Sequence, residues 1–196
     1  MFRMTESFVK SHSLGWVSLD SWSEMYVGAH WLVTEELPER QFQALPRHGA
    51  LSQMVLLSAH HLVEVIFFQS VKALTAGAPG KFQSIEKSFD RAHFRKAFEN
   101  WPVDLVGAEF DTGSRALKSA LKLADRRNAT IHKESALATP SMARSALYTS
   151  VHASREIAEH LLGEKGFKYQ KVIEKYPLPT ADWFDEAWLV DEPPNT

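Results

Sequence analysis

The sequence contains no cysteine. This absence excludes disulfide bonds, thiolate metal sites and a cysteine nucleophile, and it fits a reducing compartment. A long uninterrupted apolar run is also lacking. The most apolar stretch, residues 54–68, contains His60, His61 and Glu64, and it is too short and too polar to predict a membrane span. Residues 1–16 lack the apolar run of a signal peptide. We therefore expect a cytoplasmic protein with no membrane partner.

The chain carries little net charge. Its 22 Lys and Arg residues against 24 Asp and Glu residues give a formal charge of −2 at pH 7, which excludes a general polyanion-binding protein. Contact with RNA must therefore use a local patch. Residues 115–133 provide one, because they contain six Lys or Arg residues and a single acid, Asp125.

Helical periodicity covers most of the 196 residues, a length that suits one domain with a substantial core. We predict an all-α fold, a helical bundle of about five to six helices. An N-terminal helix and connector occupy residues 1–48, the bundle residues 49–176, and an acidic tail with Pro and Trp residues 177–196. The apolar tail residues Trp183, Phe184, Ala187 and Trp188 are expected to dock on the bundle or on a dimer mate. Six helices are predicted. The first three run from Trp22 to before Pro38, over residues 49–76, and over residues 83–100, the last of these ended by Pro102. The fourth begins at a cap, Thr112 or Ser114, the fifth runs from Ser141 to Leu162, and the sixth covers residues 166–176.

The helix that follows Ser114 breaks its own apolar pattern. Its stripe consists of residues at three- and four-residue spacing: Leu117, Ala120, Leu121, Ala124 and Ile131. The stripe passes through positions 127 and 128, where the chain has Arg and Asn instead of an apolar pair. Such a broken local rule marks a functional or strained site more often than chance. Because burying an unpaired guanidinium is costly, Arg127 needs an internal carboxylate, a partner chain or a bound anion.

A basic stripe lies on another face of the same helix. Arg115, Lys118, Lys122 and Arg126 recur at spacings of three, four and four residues, and Lys133 follows. We predict that Lys118, Lys122, Arg126 and Lys133 contact RNA. For Arg126, a solvated surface charge is the alternative interpretation.

Three polar residues of this helix can meet in one cleft. Asn128 and His132 are four residues apart and share a face, and the long side chain of Arg127 reaches the same space if the helix ends or bends near Thr130. An imidazole has a pKa near neutrality, which suits proton transfer. A fixed guanidinium suits a phosphate group or the charge that develops on it during reaction.

The run Arg127-Asn128-x-x-x-His132 resembles the R-x4-6-H motif, often R-N-x-x-x-H, of HEPN domains. The resemblance covers helices from about residue 49 to 163. It implies a small all-α bundle, commonly homodimeric, and in many members a metal-independent endoribonuclease of toxin–antitoxin, abortive-infection or other defence systems. In those enzymes the Arg and His of two protomers meet at the dimer interface. The resemblance thus assigns catalysis to Arg127, Asn128 and His132, with RNA, a second copy of the chain and an antitoxin protein as partners and no cofactor.

Glu64 is a charged residue in the middle of an apolar helix. A carboxylate so placed is rarely buried without a partner, and we predict that it pairs with Arg127 and orients it, or that the pair is purely structural. His60 and His61 suggest a metal site with Glu64. However, ligands from one helix are not enough, and no His-Glu-x-x-His or second Glu-x-x-His motif is present. We therefore expect no metal.

Arg155 and His160 also match the loose R-x4-H spacing, but they lack the Asn and are interpreted as surface residues. Three functions remain open for the chain. The first is an endoribonuclease in which His132 transfers protons, Arg127 binds the phosphate, and Asn128 positions the His ring or contacts the phosphate. The second is a non-catalytic HEPN-like module that binds a nucleotide or RNA, or holds a dimer together. The third is a helical interaction protein in which the motif is a coincidence.

Overall fold

The most apolar stretch of the chain becomes the central helix of a bundle. The computed structural model describes residues 21–40, 43–132 and 138–185, with the backbone alone for residues 129–132. Within these ranges it has seven α-helices and no strand, which confirms the predicted all-α bundle. The helices are α1 (Ser21–Trp31, followed by a π-helical turn, Leu32–Glu36), α2 (Pro46–Gly77), α3 (Gln83–Ser88, followed by a 3-10 turn, Phe89–Arg91), α4 (Phe94–Val106), α5 (Arg115–His132), α6 (Pro140–Leu162) and α7 (Gln170–Lys175).

The pair of α2 and α6 forms the most extensive helix–helix contact. The buried face of α6 is rich in small side chains, including Ala143, Ala146, Ser150, Ala153 and Ala158. Small residues let two helix axes approach closely, because the distance between axes depends on the side chains at the contact. Around this pair, α1 packs against α2, and α5 packs against both α2 and α6.

The central helix α2 has a defined start. Pro46 is its first residue, where the missing N–H is not needed, and the backbone N–H of Leu45 donates to His48 Nδ1 at 2.8 Å. By length and composition α2 also meets the criteria for a membrane-crossing helix, and 56% of its most apolar window is buried in the bundle. The core helix of a bundle meets the same criteria.

α1 connects the N-terminal part of the described chain to the C-terminal part. The indole N–H of Trp22 donates to Ser154 Oγ on α6 at 3.2 Å, and its ring stacks on Tyr169 with centroids 4.5 Å apart. The hydroxyl of Tyr26 donates to the backbone oxygen of Tyr176 at 2.6 Å, and burial raises the pKa of Tyr26 to about 12. Since Trp22 and Tyr26 are fully buried, α1 contributes directly to the main core.

The helix predicted over residues 83–100 is broken in the structure. Ala92 and the residue after it are extended, so α3 with its 3-10 turn is separated from α4. The break lets Phe89 and Phe94, on either side of it, both pack on Phe68 of α2, with ring centroids 5.5 and 6.5 Å apart. Burial of these rings against α2 outweighs the local preference for one continuous helix.

Pro102 does not end this helix as predicted. It lies buried inside α4, which continues to Val106 and stops at Gly107 in the left-handed conformation (φ 78°). A proline inside a helix costs about 3 kcal/mol, because it removes one hydrogen bond and crowds the preceding turn. Burial of Phe98, Pro102 and Leu105 on the same helix offsets that cost.

α6 begins one residue before the predicted start at Ser141. Pro140 is its first residue, and the side chain of Thr139 caps it by accepting a hydrogen bond from the N–H of Met142 at 3.2 Å. Thr is a favoured cap and Pro a favoured first residue, so the start agrees with general helix chemistry.

The last predicted helix is shorter than residues 166–176, because α7 starts only at Gln170. Gly166 lies so close to the backbone of Ala158 that any side chain there would clash. The turn at Gly166 brings the ring of Phe167 edge-on against Trp22, with centroids 5.5 Å apart.

The start of the tail packs on the bundle. Phe184 is fully buried, and its N–H donates to Thr149 Oγ1 on α6 at 3.0 Å. Phe184 completes a second core cluster, whose other members are Leu56 and Ala59 of α2, Leu123 of α5, Ala138, and Met142 and Ala146 of α6. This second core cluster lies against the half of α5 that carries the predicted catalytic residues.

Trp183, next to Phe184, covers a polar pair on α6. Its ring lies 5.2 Å from Tyr148 and 5.4 Å from His152. Tyr148 and His152 therefore belong to the contact between tail and bundle. Residues 186–196, with the predicted apolar residues Ala187 and Trp188, lie outside the described residues.

Candidate functional site

α5 positions the predicted catalytic residues. The hydroxyl of Ser114 caps its first turn by accepting a hydrogen bond from Leu117 N–H at 3.2 Å, and it donates to Glu156 of α6 at 2.6 Å. The apolar residues of its buried face are Ala116, Leu117, Ala120, Leu123 and Ala124. Leu123 is fully buried, and Leu121 of the predicted stripe is partly buried and packs against the main core. Leu123 anchors α5 in the second core cluster.

Arg127 lies one turn beyond Leu123 and is partly buried. Its Nη1 donates to Asn128 Oδ1 at 3.1 Å, so the amide holds the guanidinium. Arg127 lines an open cleft of about 350 Å³. The other residues of this cleft, which we name the Arg127 cleft, come from α1 and α2: Met25, Leu57, Ser58, His60, His61 and Glu64.

The predicted pairing of Glu64 with Arg127 is replaced by contacts within α2. Glu64 Oε2 lies 3.4 Å from His61 Nδ1 and 3.6 Å from His60 Nδ1. These histidines are three and four residues earlier on the same helix, which makes them the nearest neighbours of Glu64. Arg127 acts on Glu64 only through its charge at longer range. Within the described chain, no carboxylate lies in ion-pair contact with Arg127.

The ionisable groups of the Arg127 cleft influence one another. Burial lowers the pKa of His60; the negative charge of Glu64 opposes this shift, and the positive charge of Arg127 adds to it. Partial burial alone would raise the pKa of Glu64, but the hydrogen bond with His61 and the positive charges of His60, His61 and Arg127 outweigh it and lower that pKa. At neutral pH the cleft therefore contains a neutral His60, an ionised Glu64 and a cationic Arg127.

His132 is the last residue of α5, five residues after Arg127. The described part of the chain includes its backbone but not its side chain, so the predicted grouping of Arg127, Asn128 and His132 is seen only for the first two. On a straight helix an offset of five residues turns two side chains about 140° apart. Contact of His132 with the Arg127 cleft stays a prediction.

The residues of the predicted basic stripe of α5 differ in their exposure to solvent. Lys118 and Lys122 are exposed, Arg126 is partly buried rather than solvated, and Lys133 lies outside the described residues. Lys118 precedes Arg127 by nine residues, which turns the two about 180° apart on the helix. The stripe therefore does not line the Arg127 cleft.

The second match to the loose motif has structural contacts instead. Arg155 Nη2 donates to Gln170 Oε1 at 2.6 Å, and its guanidinium lies 5.0 Å from the ring centre of Phe167. His160 Nε2 is 3.1 Å from the backbone oxygen of Ala108. Both residues connect α6 to neighbouring segments.

His60 and His61 are the neighbours of Arg127 that the sequence interpretation missed. Their spacing to Glu64 was visible and was considered only as a metal motif. Among the residues with described side chains, no group of three or more His, Cys, Asp or Glu residues is arranged to hold a metal ion. Nothing in the local spacing shows that α5 brings Arg127 to this face of α2, because that contact is long-range.

Comparison of the chain with models of known protein families, with curated proteins and with solved structures finds no match. The residues of the Arg127 cleft are therefore the basis on which its chemistry is assigned. A cation held by a neutral amide can bind an anion. Imidazoles beside a carboxylate can carry protons near neutral pH.

Proposed function

We propose that the protein is a metal-independent endoribonuclease of HEPN type that binds a phosphodiester of RNA at Arg127. The observation that supports this most is the state of Arg127 itself. It is partly buried and lines an open cleft. Its described hydrogen bond goes to the neutral amide of Asn128. A partly buried guanidinium with no carboxylate partner among the described residues favours an anionic ligand, which a phosphate group supplies.

The reaction divides into proton transfers and charge stabilisation. The 2′-hydroxyl oxygen attacks the adjacent phosphorus, the bond from phosphorus to the next 5′ oxygen breaks, and a 2′,3′-cyclic phosphate remains. His132 accepts the 2′ proton, and a second imidazole donates a proton to the leaving 5′ oxygen. Arg127 stabilises the charge that develops on the phosphate oxygens. Asn128 keeps the guanidinium in place.

The second imidazole comes either from the same residue of a second copy or from His61. His61 lines the Arg127 cleft, with the ionised Glu64 at its Nδ1. A carboxylate in that position orients the ring by accepting a hydrogen bond from it. The resemblance to HEPN toxins adds a homodimer and an antitoxin partner to the proposal.

A dimer is favoured by apolar side chains at the edge of the Arg127 cleft. Met54 and Leu57 of α2 are 54% and 36% exposed. Spacings of three and four residues place them on the same helix face as His61. Exposed large apolar side chains that gather on one face favour contact with another protein surface. A second copy bound there brings two Arg127 clefts together.

The test is cleavage of unstructured RNA in EDTA by the purified protein and its variants. We expect Arg127→Ala and His132→Ala each to lower the rate by about 10²-fold or more. The matched control is the second motif match: Arg155→Ala and His160→Gln should keep the wild-type rate, because these residues lie elsewhere on the bundle. Intact RNA with the wild-type protein would overturn the proposal. Nucleotide binding that depends on Arg127, without any turnover, would favour the non-catalytic module instead.

A further inference from the structure

Two further clefts neighbour the Arg127 cleft, and each shares lining residues with the one before it. The next cleft, of about 420 Å³, shares His61 and Glu64 with it and extends along α2 to Lys72. The third, of about 480 Å³, shares Ala92 with the second. The distance from His61 to Lys72 on α2 is about 16 Å, at 1.5 Å per residue. Phe89 of the second cleft also contacts Trp101 of the third, and we name this series of neighbouring clefts the α2–α4 groove.

The middle of the α2–α4 groove is aromatic. Phe68, Phe89 and Phe94 line it, and Trp101 lines the third cleft. All four residues are only partly buried. Phe89 stacks on Trp101 with ring centroids 6.1 Å apart and planes 18° from parallel. Trp101 also stacks on Phe67, so these rings belong to one aromatic cluster, and each keeps part of its surface exposed to solvent.

The far end of the α2–α4 groove is basic. Lys87, Arg91, His93 and Lys96 line the third cleft, and all are exposed. The other residues that line this cleft include no acid. Arg95 does not contribute, because it forms ion pairs with Asp125 and Glu99. In contrast, none of Lys87, Arg91 and Lys96 forms an ion pair with a described residue.

We propose that the α2–α4 groove binds single-stranded nucleic acid over a length of several nucleotides. Phosphates lie against Lys87, Arg91 and Lys96, and unpaired bases lie on the aromatic rings. A positive groove with aromatic platforms is the arrangement that suits unpaired strands, since every base has a face that can stack. A duplex hides these faces and gains only the charge attraction. The Lys118 and Lys122 stripe of α5 is not this surface, because neither lysine lines any of the three clefts.

The idea that the α2–α4 groove leads an RNA substrate into the Arg127 cleft rests on the proposed ribonuclease function. Binding itself does not require cleavage, and the two can be measured separately. An oligonucleotide with 2′-O-methyl groups cannot react through a 2′-hydroxyl, so it reports binding alone.

The experiment measures fluorescence anisotropy of a labelled 2′-O-methyl oligouridine of about 12 nucleotides, over KCl concentrations from about 50 to 200 mM. The test variant is Arg91→Ala with Lys96→Ala. The matched control removes two exposed lysines elsewhere, Lys165→Ala with Lys171→Ala. The slope of log K against log salt is negative, and each lost phosphate contact makes it less negative by about 0.7 for a single strand. We therefore expect the slope to become less negative by about 1.4 in the test variant and to stay unchanged in the control.

Three results would overturn the α2–α4 groove as a binding surface: the same affinity and slope in the test variant as in the wild type, equal loss in the control variant, or equal affinity for the duplex form or for an acidic peptide of similar charge. A wild-type protein that binds through Arg91 and Lys96 but leaves ordinary RNA intact would confirm the groove and overturn the proposed function. Cleavage of ordinary RNA with unchanged binding in the test variant would do the reverse.

Discussion

The docking of the tail through Phe184 gives a prediction whose size can be worked out from the structure. The side chain is fully buried in the second core cluster, against Leu56 and Leu123 among others. Replacing a buried Phe by Ala costs about 3–5 kcal/mol, from lost burial and from the cavity that remains. At a urea dependence of about 2 kcal/mol/M, the midpoint of unfolding of Phe184→Ala should fall by about 2 M.

A second substitution tests the same contact in another way. Thr149→Val removes the acceptor for the buried N–H of Phe184. An unsatisfied buried N–H costs about 1–3 kcal/mol, so the loss should be smaller than for Phe184→Ala. The control is Leu162→Ala, because that side chain is 39% exposed and surface changes usually stay within about 0.5 kcal/mol.

Equilibrium urea unfolding followed by far-UV circular dichroism measures all three variants. The expected order of stability loss is Phe184→Ala, then Thr149→Val, then Leu162→Ala. If Phe184→Ala loses less than about 1 kcal/mol, or no more than Leu162→Ala, the tail does not dock as described and the second core cluster does not support the end of α5.

Two further predictions concern pH and assembly. Burial lowers the pKa of His60 and His152 below the ordinary 6.5. Below that pH the unfolded chain therefore binds more protons than the folded one. The free energy of unfolding should thus have its full value, as far as these two histidines determine it, above pH 6.5 and should decrease as the pH falls. The melting temperature of His152→Gln should therefore decrease less than that of the wild type between about pH 7.5 and 5.5, and an equally steep decrease would contradict this. Met54→Asp with Leu57→Asp should convert a dimer to a monomer in light scattering, while far-UV circular dichroism shows that the helices are retained; a monomeric wild type would contradict the proposed interface.

Much of the fold could be predicted from local patterns. α2, α5 and α6 each have a long apolar face, and such a face gives a periodic signal that is independent of the rest of the molecule. The wrong predictions concern segments whose structure depends on packing against residues distant in the sequence. Pro102 stays inside α4 because burial of that helix offsets its local cost, and the helix over residues 83–100 breaks because two rings pack on Phe68.

The candidate site shows the same limit. The place of Arg127 in an apolar stripe marked it as unusual, and the structure places it in an open cleft. Its neighbours could not be read from spacing, because His60 and His61 are on another helix and contact Glu64 first. The α2–α4 groove was also not predicted, since its cations and rings come from four segments that only the folded chain brings together.

The chemistry of the RNA ends tests the central claim most directly. Wild-type protein is incubated in EDTA with labelled RNA and with the same sequence carrying 2′-O-methyl groups, and the products are analysed by mass spectrometry. The account predicts fragments of the ordinary RNA that end in 2′,3′-cyclic phosphate, no cleavage of the 2′-O-methyl strand, and no fragments with Arg127→Ala. Fragments with 5′-phosphate and 3′-hydroxyl ends, or equal cleavage by Arg127→Ala, would contradict it.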